Sequence, residues 1–528
     1  MNPAALKANI DELERGATII ANEDAFTTRN LQKAGYDGNP LEDGSLRGFV
    51  VHRIPMNTLT QRAVEGMEEV STRDALRAKN LFALGLLSWL YDRPTALTEA
   101  WMEKRFAGRK ASLEANLAAF RAGWSFGETT ELIDVQIRVP AAHDMEPGTY
   151  RTVNGTTATA LGLIAASVQS GLQLVLASYP ITPASELLHE LARHRRAGVR
   201  TIQAEDEIAA AGMALGAAFG GALGVTATSG PGMDLKAETV GLAVMLELPM
   251  LVIDVQRAGP STGMPTKTEQ SDLLMALYGR HGESPLPIVC ATTPAQCFTA
   301  VLDAVRIAVR YRTPVILLTD LFLANSSEPW LIPDVTLLPP IAPDFAAANG
   351  HAFEAYARNA DGARPWAVPG TPGLEHRIGG LSSEDLTGNV SYPPANNELM
   401  VRTRVRKIAG IAREIPPTEI FGDQDGGDLL VLAWGSTFGP IREAVKQMRA
   451  KGRNVSHIHL RYLNPLPSDL AEKLRMFRKV MVAEMNMGQL LKMVRADYLI
   501  DAVGCNKVQG RPFKVSELTN RVTRALEG

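Results

Sequence analysis

Four segments between positions 179 and 272 put residues with acid–base or anion-binding chemistry directly after apolar runs. In the first, Ser178-Tyr-Pro-Ile-Thr-Pro-Ala-Ser-Glu186, Thr182 precedes Pro183. Threonine followed by proline is a common helix start, so Thr182 is either a plain cap or a hydroxyl that faces an anion together with helix-start N–H groups. In the second, Gln203-Ala-Glu-Asp-Glu-Ile-Ala-Ala-Ala-Gly212, Glu205 and Asp206 suit the positive end of a helix dipole and need no other role. Glu207 differs, because an unbroken small and apolar run follows it. A carboxyl half-buried against such a surface holds its proton more tightly and can act as a proton donor near neutral pH, although a structural carboxyl is the commoner case. In the third, Thr226-Ala-Thr-Ser-Gly-Pro-Gly232, a strand runs into a turn at Ser229 and Gly230. Paired glycines there let backbone approach a ligand closely, or simply make a tight turn. The fourth runs from Val252 to Asp272 and delivers Gln256 and Arg257 to a loop punctuated by glycine and proline. Arginine at a strand end is a bidentate clamp for a carboxylate, with a structural ion pair as the plainer alternative.

The elements that must hold these residues read as alternating strand and helix. Strands are expected over residues 172–178, 200–204, 223–228, 250–255 and 314–318, joined by helices rich in alanine, glycine and leucine. That is the pattern of an α/β domain with a parallel sheet, where ligands bind at the carboxyl ends of the strands. All four segments fall at such ends. Residues 1–150 are mixed, with short strands over 16–21 and 49–54 and a long helix over 74–91 in which Leu76, Leu81, Leu84, Leu87 and Leu90 keep helical spacing. Residues 326–425 are rich in proline, glycine and asparagine and read as a connector, ordered as an arm over a neighbour. From 426 to 528 a second, smaller α/β domain is expected, with strands over 429–434, 455–460 and 479–484 and a helix over 440–451.

Length and composition bound the rest. A chain of 528 residues accommodates about three domains. The net charge of -3 argues against nucleic acid or an anionic membrane as the main partner. The longest apolar stretch, 240–255, is broken by Glu247 and Pro249, so no membrane span is expected. Lys7, Asp11, Glu12 and Glu14 interrupt the place of a secretion signal, and the expected location is cytoplasmic. Cys290, Cys297 and Cys505 make no Cys-x-x-Cys pair, so the chain cannot by itself build a four-cysteine iron–sulfur site. His457 and His459 share a strand face without an acidic partner nearby, which favours packing, and no metal site is expected here. The segment from Glu484 to Gln489 follows a strand of the last domain and is given no catalytic role.

The four segments, in this order and spacing, closely resemble the alpha subunit of 2-oxoacid:ferredoxin oxidoreductases. The resemblance continues through Tyr278-Gly-Arg-His-Gly282, Asn396-Asn-Glu-Leu-Met400, Trp434-Gly-Ser-Thr-Phe-Gly439, His459-Leu-Arg-Tyr-Leu-Asn-Pro465 and Pro512-Phe-Lys-Val-Ser-Glu-Leu518, and so covers nearly the whole chain. It implies a pyrimidine-type thiamine diphosphate domain over 151–325, a connector over 326–425 and a transketolase C-terminal-like domain over 426–528. Residues 1–150 resemble the carboxyl-side part of the family's gamma domain through Asn2-Pro-Ala-Ala-Leu6, Asn22-Glu-Asp-Ala-Phe26 and Asn39-Pro-Leu-Glu-Asp-Gly44, without that domain's glycine-rich opening.

By that resemblance Glu207 is the carboxyl on the cofactor's aminopyrimidine ring, Ser229 and Gly230 contact the cofactor, and Thr182 and Arg257 hold the 2-oxoacid carboxylate. The implied reaction is oxidative decarboxylation of a 2-oxoacid, with 2-oxoglutarate favoured over pyruvate and branched acids. Coenzyme A accepts the acyl group and ferredoxin the electrons. The Gly-Asp-Gly signature that binds magnesium diphosphate is absent, Gly422-Asp-Gln424 being the nearest approach, as are the cluster cysteines. Both are features of the family's beta subunit, so a hetero-oligomer is implied. A rival of another class is a scaffold that keeps the fold without the chemistry.

Overall fold

The computed structural model describes residues 1–67, 70–130, 136–140, 142–143 and 145–527. The chain forms two compact units, Met1–Glu146 and Pro147–Gly528.

In the first unit, β1 (Thr18–Asn22) and β2 (Val50–Ile54) pair in parallel, Ile19 opposite Val51. The carboxyl end of β1 turns polar and caps the helix that follows β2, Met56–Ala63: Asn22 Oδ1 accepts from Met56 N at 3.2 Å and Asp24 Oδ2 from Thr58 N at 2.8 Å. The helices Thr72–Leu90 and Lys110–Thr129 pack so closely that a Cβ on Gly85 would lie 1.9 Å from the Phe120 carbonyl oxygen, and one on Gly123 1.9 Å from that of Phe82. This contact sets which face is buried. Ala75, Ala78, Phe82, Leu86 and Leu90 go inside, whereas Leu76, Leu84 and Leu87 are about two-fifths exposed. The expected helix is present, and its leucines Leu76, Leu84 and Leu87 lie on the more exposed side because glycine and alanine, not leucine, permit the close crossing.

The second unit is built on a seven-stranded sheet. Its strands are β4 (Leu174–Ser178), β5 (Arg200–Gln203), β6 (Leu223–Thr228), β7 (Met250–Gln256), β8 (Ile288–Cys290), β9 (Pro314–Asp320) and β13 (Tyr462–Asn464), in the order β13-β8-β9-β7-β6-β4-β5. All neighbours run parallel except β13 against β8. The central strands β4, β6, β7 and β9 are buried along their whole length, as runs covered by helices on both faces must be. A separate antiparallel pair joins β3 (Tyr150–Asn154) to β10 (Ser327–Leu331).

A second, wholly parallel sheet has the order β12-β11-β14-β15, with β11 (Gly427–Trp434), β12 (Val455–Leu460), β14 (Phe477–Glu484) and β15 (Val503–Asn506). It is not isolated from the first: directly after β12, the chain crosses and supplies β13 to the larger sheet, Cys290 N donating to Arg461 O at 2.7 Å. Gln270 completes the connection. Its side chain accepts from Met485 N at 2.9 Å and donates to Trp434 O at 2.8 Å. The arm between the sheets lies over helices of its own unit and includes a regular helix, Pro394–Gly410. Trp366 Nε1 donates to Ala218 O at 3.1 Å, and Arg364 Nε to Leu246 O at 2.8 Å. Beneath it Glu247 receives Lys407 Nζ and Arg358 Nη2, each at 2.6 Å. Burial pushes the Glu247 carboxyl up, and the Lys407 and Arg358 charges outweigh it.

Candidate active site

The carboxyl ends of β7, β6, β4 and β5 stand side by side in the larger sheet and bring the four segments into one row. Beyond β5 the chain turns into the helix Glu207–Phe219, whose cap is Asp206, its Oδ1 accepting from Ala209 N at 2.8 Å. Glu207 is thereby the first helical residue and is half-buried. Its carbonyl oxygen accepts from Lys236 Nζ at 2.9 Å, and its carboxyl lies within hydrogen-bonding reach of the Tyr179 hydroxyl. Tyr179 ends β4, is buried, and shares a 2.8 Å hydrogen bond with Thr228 Oγ1 at the end of β6. Burial, with Glu207 close by, pushes the Tyr179 hydroxyl well above its usual pKa.

The helix Gly230–Leu246 starts immediately beyond β6 and leans on this row. A Cβ on Gly232 would sit 2.0 Å from Tyr179 Oη, 2.1 Å from Thr228 Oγ1 and 3.1 Å from Glu207 Cγ, so only glycine fits. A Cβ on Gly230 would meet Asp272 Oδ1 at 2.9 Å. Ser229 occupies the cap position, fully buried, and its hydroxyl has no hydrogen-bond partner among the described residues. A buried hydroxyl left unpaired at a helix N-terminus is an unmet demand for a polar ligand group. About two turns further on, Lys236 is fully buried, its ammonium 4.7 Å from the Tyr179 ring centre. Burial pulls its pKa down to about 8, against the opposing pull of Glu207 and Asp206.

Arg257 follows β7 and is almost fully buried. Its Nη1 donates to the Thr182 carbonyl oxygen, its own carbonyl accepts from Ser271 Oγ at 2.9 Å, and its Nε has no partner among the described residues. Thr182 itself is exposed and lines a polar cleft of about 420 Å³ with Thr156, Ser185 and Thr266. It is not a helix cap. The Thr182–Pro183 peptide is cis, and the helix begins only at Ser185 with Ala184 as an uncapped start. The fold thus joins Thr182 to Arg257 on one side, and Glu207 to the Ser229–Gly232 turn on the other.

Tyr179, Lys236, Asp254 and Asp272 belong to the same row, and no local pattern was strong enough to assign them roles. Two hints existed: Lys236 is the one cation in its helix, and Asp254 interrupts the apolar run of β7. His457 and His459 are core residues, as their lack of acidic neighbours suggested. His459 Nε2 bonds to Gly435 O at 2.9 Å, and burial holds both rings neutral. The segment after Glu484 turns out to be a brace. The buried Glu484 carboxylate accepts from Leu490 N at 2.8 Å and Leu491 N at 3.0 Å, while Asn486 Nδ2 donates to Gln270 O at 2.8 Å. Among the described residues no group of three or more His, Cys, Asp or Glu side chains could hold a metal ion. No described helix is long and apolar enough to cross a membrane.

These residues lie at the carboxyl ends of a parallel sheet of the kind expected of a thiamine diphosphate-binding domain: a half-buried glutamate at one helix start, a glycine cradle above it and a buried arginine alongside. Comparison with known proteins agrees. Residues 166–391 match the model of the thiamine diphosphate-binding domain of pyruvate flavodoxin/ferredoxin oxidoreductases, residues 1–126 that of pyruvate ferredoxin/flavodoxin oxidoreductase, and residues 427–518 that of core domain II of pyruvate:ferredoxin oxidoreductase. The 2-oxoglutarate oxidoreductase subunit KorA of Mycobacterium tuberculosis is 53% identical over the whole chain and 80% of its own length. The alpha subunit of 2-oxoacid:ferredoxin oxidoreductase 1 from Aeropyrum pernix is 32% identical over 86% of the chain and 72% of its own. The solved structure of 2-oxoglutarate:ferredoxin oxidoreductase from Magnetococcus marinus, with 2-oxoglutarate, coenzyme A and succinyl-CoA bound, superposes with a TM-score of 0.87 at 32% identity, covering 100% of this chain and 87% of that one. The chain belongs to the family of 2-oxoacid:ferredoxin oxidoreductases, as a KorA-type alpha subunit.

Proposed function

We propose that the chain is the alpha subunit of a thiamine diphosphate-dependent 2-oxoglutarate:ferredoxin oxidoreductase, in which Glu207 serves the cofactor's aminopyrimidine and Arg257 with Thr182 holds the substrate carboxylate. The observation that carries the reading is the meeting of Glu207, Tyr179 and Thr228 under Gly232, next to a buried, unpaired Ser229 hydroxyl. Those features fit the cofactor: a carboxyl for the ring, a surface cleared of side chains, and an unmet polar group. When bound, thiamine diphosphate supplies the carbon nucleophile that attacks the keto carbon and lets carbon dioxide leave.

The chain's own residues do the rest. The Glu207 carboxyl is the group that exchanges a proton with the aminopyrimidine, and the Tyr179–Thr228 hydrogen bond fixes the hydroxyl beside it. Lys236 ties down the Glu207 backbone. Arg257 is fixed before substrate arrives, through the Thr182 carbonyl and Ser271, so its cation needs no reorganisation to meet a carboxylate. The thiamine diphosphate and the coenzyme A co-substrate agree with the matched domain and with the ligands of the Magnetococcus marinus enzyme.

A beta subunit supplying the magnesium diphosphate site and the iron–sulfur cluster, and passing electrons to ferredoxin, completes the proposal. Its docking surface is supported by the helix that starts at Glu207. Ile208, Met213 and Phe219 are exposed there, and a Cβ on Gly212 or Gly216 would meet nothing within 4 Å. An apolar, flat helix face beside half a site is what a partner would cover. Co-purifying the chain with such a partner and measuring ferredoxin reduction across 2-oxoacids tests the reading. The highest kcat/KM is expected with 2-oxoglutarate and coenzyme A; equal or better turnover of pyruvate would overturn the substrate assignment, and no turnover of any 2-oxoacid would favour a scaffold.

A further inference from the structure

Behind the clamp lie two acids with an unusual environment. Asp254, on β7, is fully buried, and neither of its carboxyl oxygens accepts a hydrogen bond from any described N–H or O–H. Its contact is another acid: the Asp254 and Asp272 side chains lie in hydrogen-bonding reach of each other. Asp272 is itself buried, and one of its oxygens also lacks a donor. Two ionised carboxylates touching in a dry interior would repel strongly with nothing to solvate them. The arrangement is satisfied when one carboxyl carries a proton and donates it to the other, as in other paired acids.

The pair is also well connected to the site. Asp272 N donates to Gln256 Oε1 at 3.1 Å, which closes the loop that leaves β7 at Arg257. Ser271, next in the chain, holds the Arg257 carbonyl. Gly230 has no side chain, and a Cβ there would press on Asp272 Oδ1. The charged and titratable groups facing the pair are Asp234 on the helix Gly230–Leu246, Arg257 at the end of β7, and Tyr179 at the end of β4. Burial pushes Asp254 well up, with Asp272 and Asp234 adding to it. Burial also pushes Asp272 up to about 6, and the Arg257 charge opposes that rise.

We infer that Asp254 and Asp272 share one proton and act as the positioning pair of the substrate clamp, Asp254 as the neutral donor and Asp272 as the carboxylate that balances Arg257. The inference rests on the proposed role of Arg257. In the neutral range Asp272 carries the negative charge that orients the guanidinium. Below about pH 6 Asp272 is protonated too, so the pair carries two protons and the clamp loses its counter-charge. Neither acid touches the reacting atoms in this scheme.

Two measurements test it together. Infrared spectra of the full-length chain at neutral pH should contain the carbonyl band of a protonated carboxylic acid, and Asp254→Asn should remove it. In the reconstituted complex, KM and kcat for 2-oxoglutarate are then followed from pH 5 to 8. Asp272→Asn should raise KM about tenfold or more and flatten its dependence near pH 6, with kcat less affected, whereas Asp254→Asn, which keeps an N–H donor toward Asp272, should raise KM less and retain the dependence near pH 6. Thermal melts identify any variant that fails to fold, in which case Asp272→Glu replaces it and should restore the pH dependence. Absence of the band, its survival in Asp254→Asn, or equal damage from both asparagine variants would overturn the shared proton. An unchanged KM in Arg257→Ala with the band present would overturn the clamp alone, so the two failures are separable.

Discussion

Replacing Gly232 by alanine probes the centre of the site with a single methyl group. The added Cβ would lie 2.0 Å from Tyr179 Oη and 2.1 Å from Thr228 Oγ1, both buried and bonded to each other. Neither can yield without the backbone, since Tyr179 and Thr228 terminate buried strands. Overpacking of this kind costs about 1–3 kcal/mol, and separating the hydroxyl pair about 0.5–1.5 more, for a total of about 1.5–4.5 kcal/mol. A chain with two units does not unfold in one step, so the readout should be local. Amide hydrogen exchange across the helix Gly230–Leu246 reports the opening free energy of that element. Protection there should fall about 10- to 1,500-fold at about 1.4 kcal/mol per decade. Gly241 provides the opposite control, because a Cβ there meets nothing within 4 Å, and Gly241→Ala should strengthen the same helix by about 0.5–1 kcal/mol. Loss of less than about fivefold in Gly232→Ala, or a loss matched by Gly241→Ala, would refute the close contact of helix, Tyr179 and Thr228.

Three further outcomes are expected. Lys236 has its pKa lowered from the ordinary lysine value to about 8, so between there and about 10.4 the unfolded chain binds the extra proton and stability rises with pH; difference melts should show that rise in the wild type and not in Lys236→Met. Arg257→Lys keeps a point charge but loses the planar fork, and KM for the 2-oxoacid should rise about tenfold or more with a smaller change in kcat; an unchanged KM would mean that no bidentate contact is made. Ile208→Arg, on the exposed face of the Glu207 helix, should prevent co-purification with the beta subunit while the chain alone keeps its melting temperature; full complex formation would move the docking surface elsewhere.

Much of the larger sheet was legible because burial wrote it plainly. Residues 223–225 and 250–253 are unbroken apolar runs, as strands buried on both faces favour, and polar residues enter only toward the carboxyl ends at Thr226, Thr228, Asp254 and Gln256. The edge was not legible. β8 and β13 are three residues each, and they pair across more than 170 positions, which no local pattern encodes. The pair of β3 and β10 was hidden by Pro329 and by polar residues on exposed faces. In the first unit the buried face of Thr72–Leu90 was chosen by Gly85 and Gly123, a tertiary contact that leucine spacing cannot show. For the site, strand-end position and residue type marked Thr182, Glu207, Ser229, Gly230 and Arg257 as candidates, and only the family resemblance gave them roles. Their companions needed the fold. Lys236 looks like an ordinary surface lysine until its helix is laid against Tyr179, and Asp254 looks like an interruption until Asp272 returns from a sixteen-residue loop to meet it.

The most direct measurement is 2-oxoglutarate-dependent ferredoxin reduction by the reconstituted complex carrying Glu207→Gln, compared with wild type at equal thiamine diphosphate occupancy. The amide keeps the shape and the contact with Tyr179 but cannot give or take the proton at that position. A fall in kcat of at least about a hundredfold, with the substrate KM little changed, is expected for a group that works as a general acid–base at the cofactor. Turnover within a few-fold of wild type would contradict the assignment of Glu207, and with it the claim that this chain contributes the pyrimidine-side half of the active site.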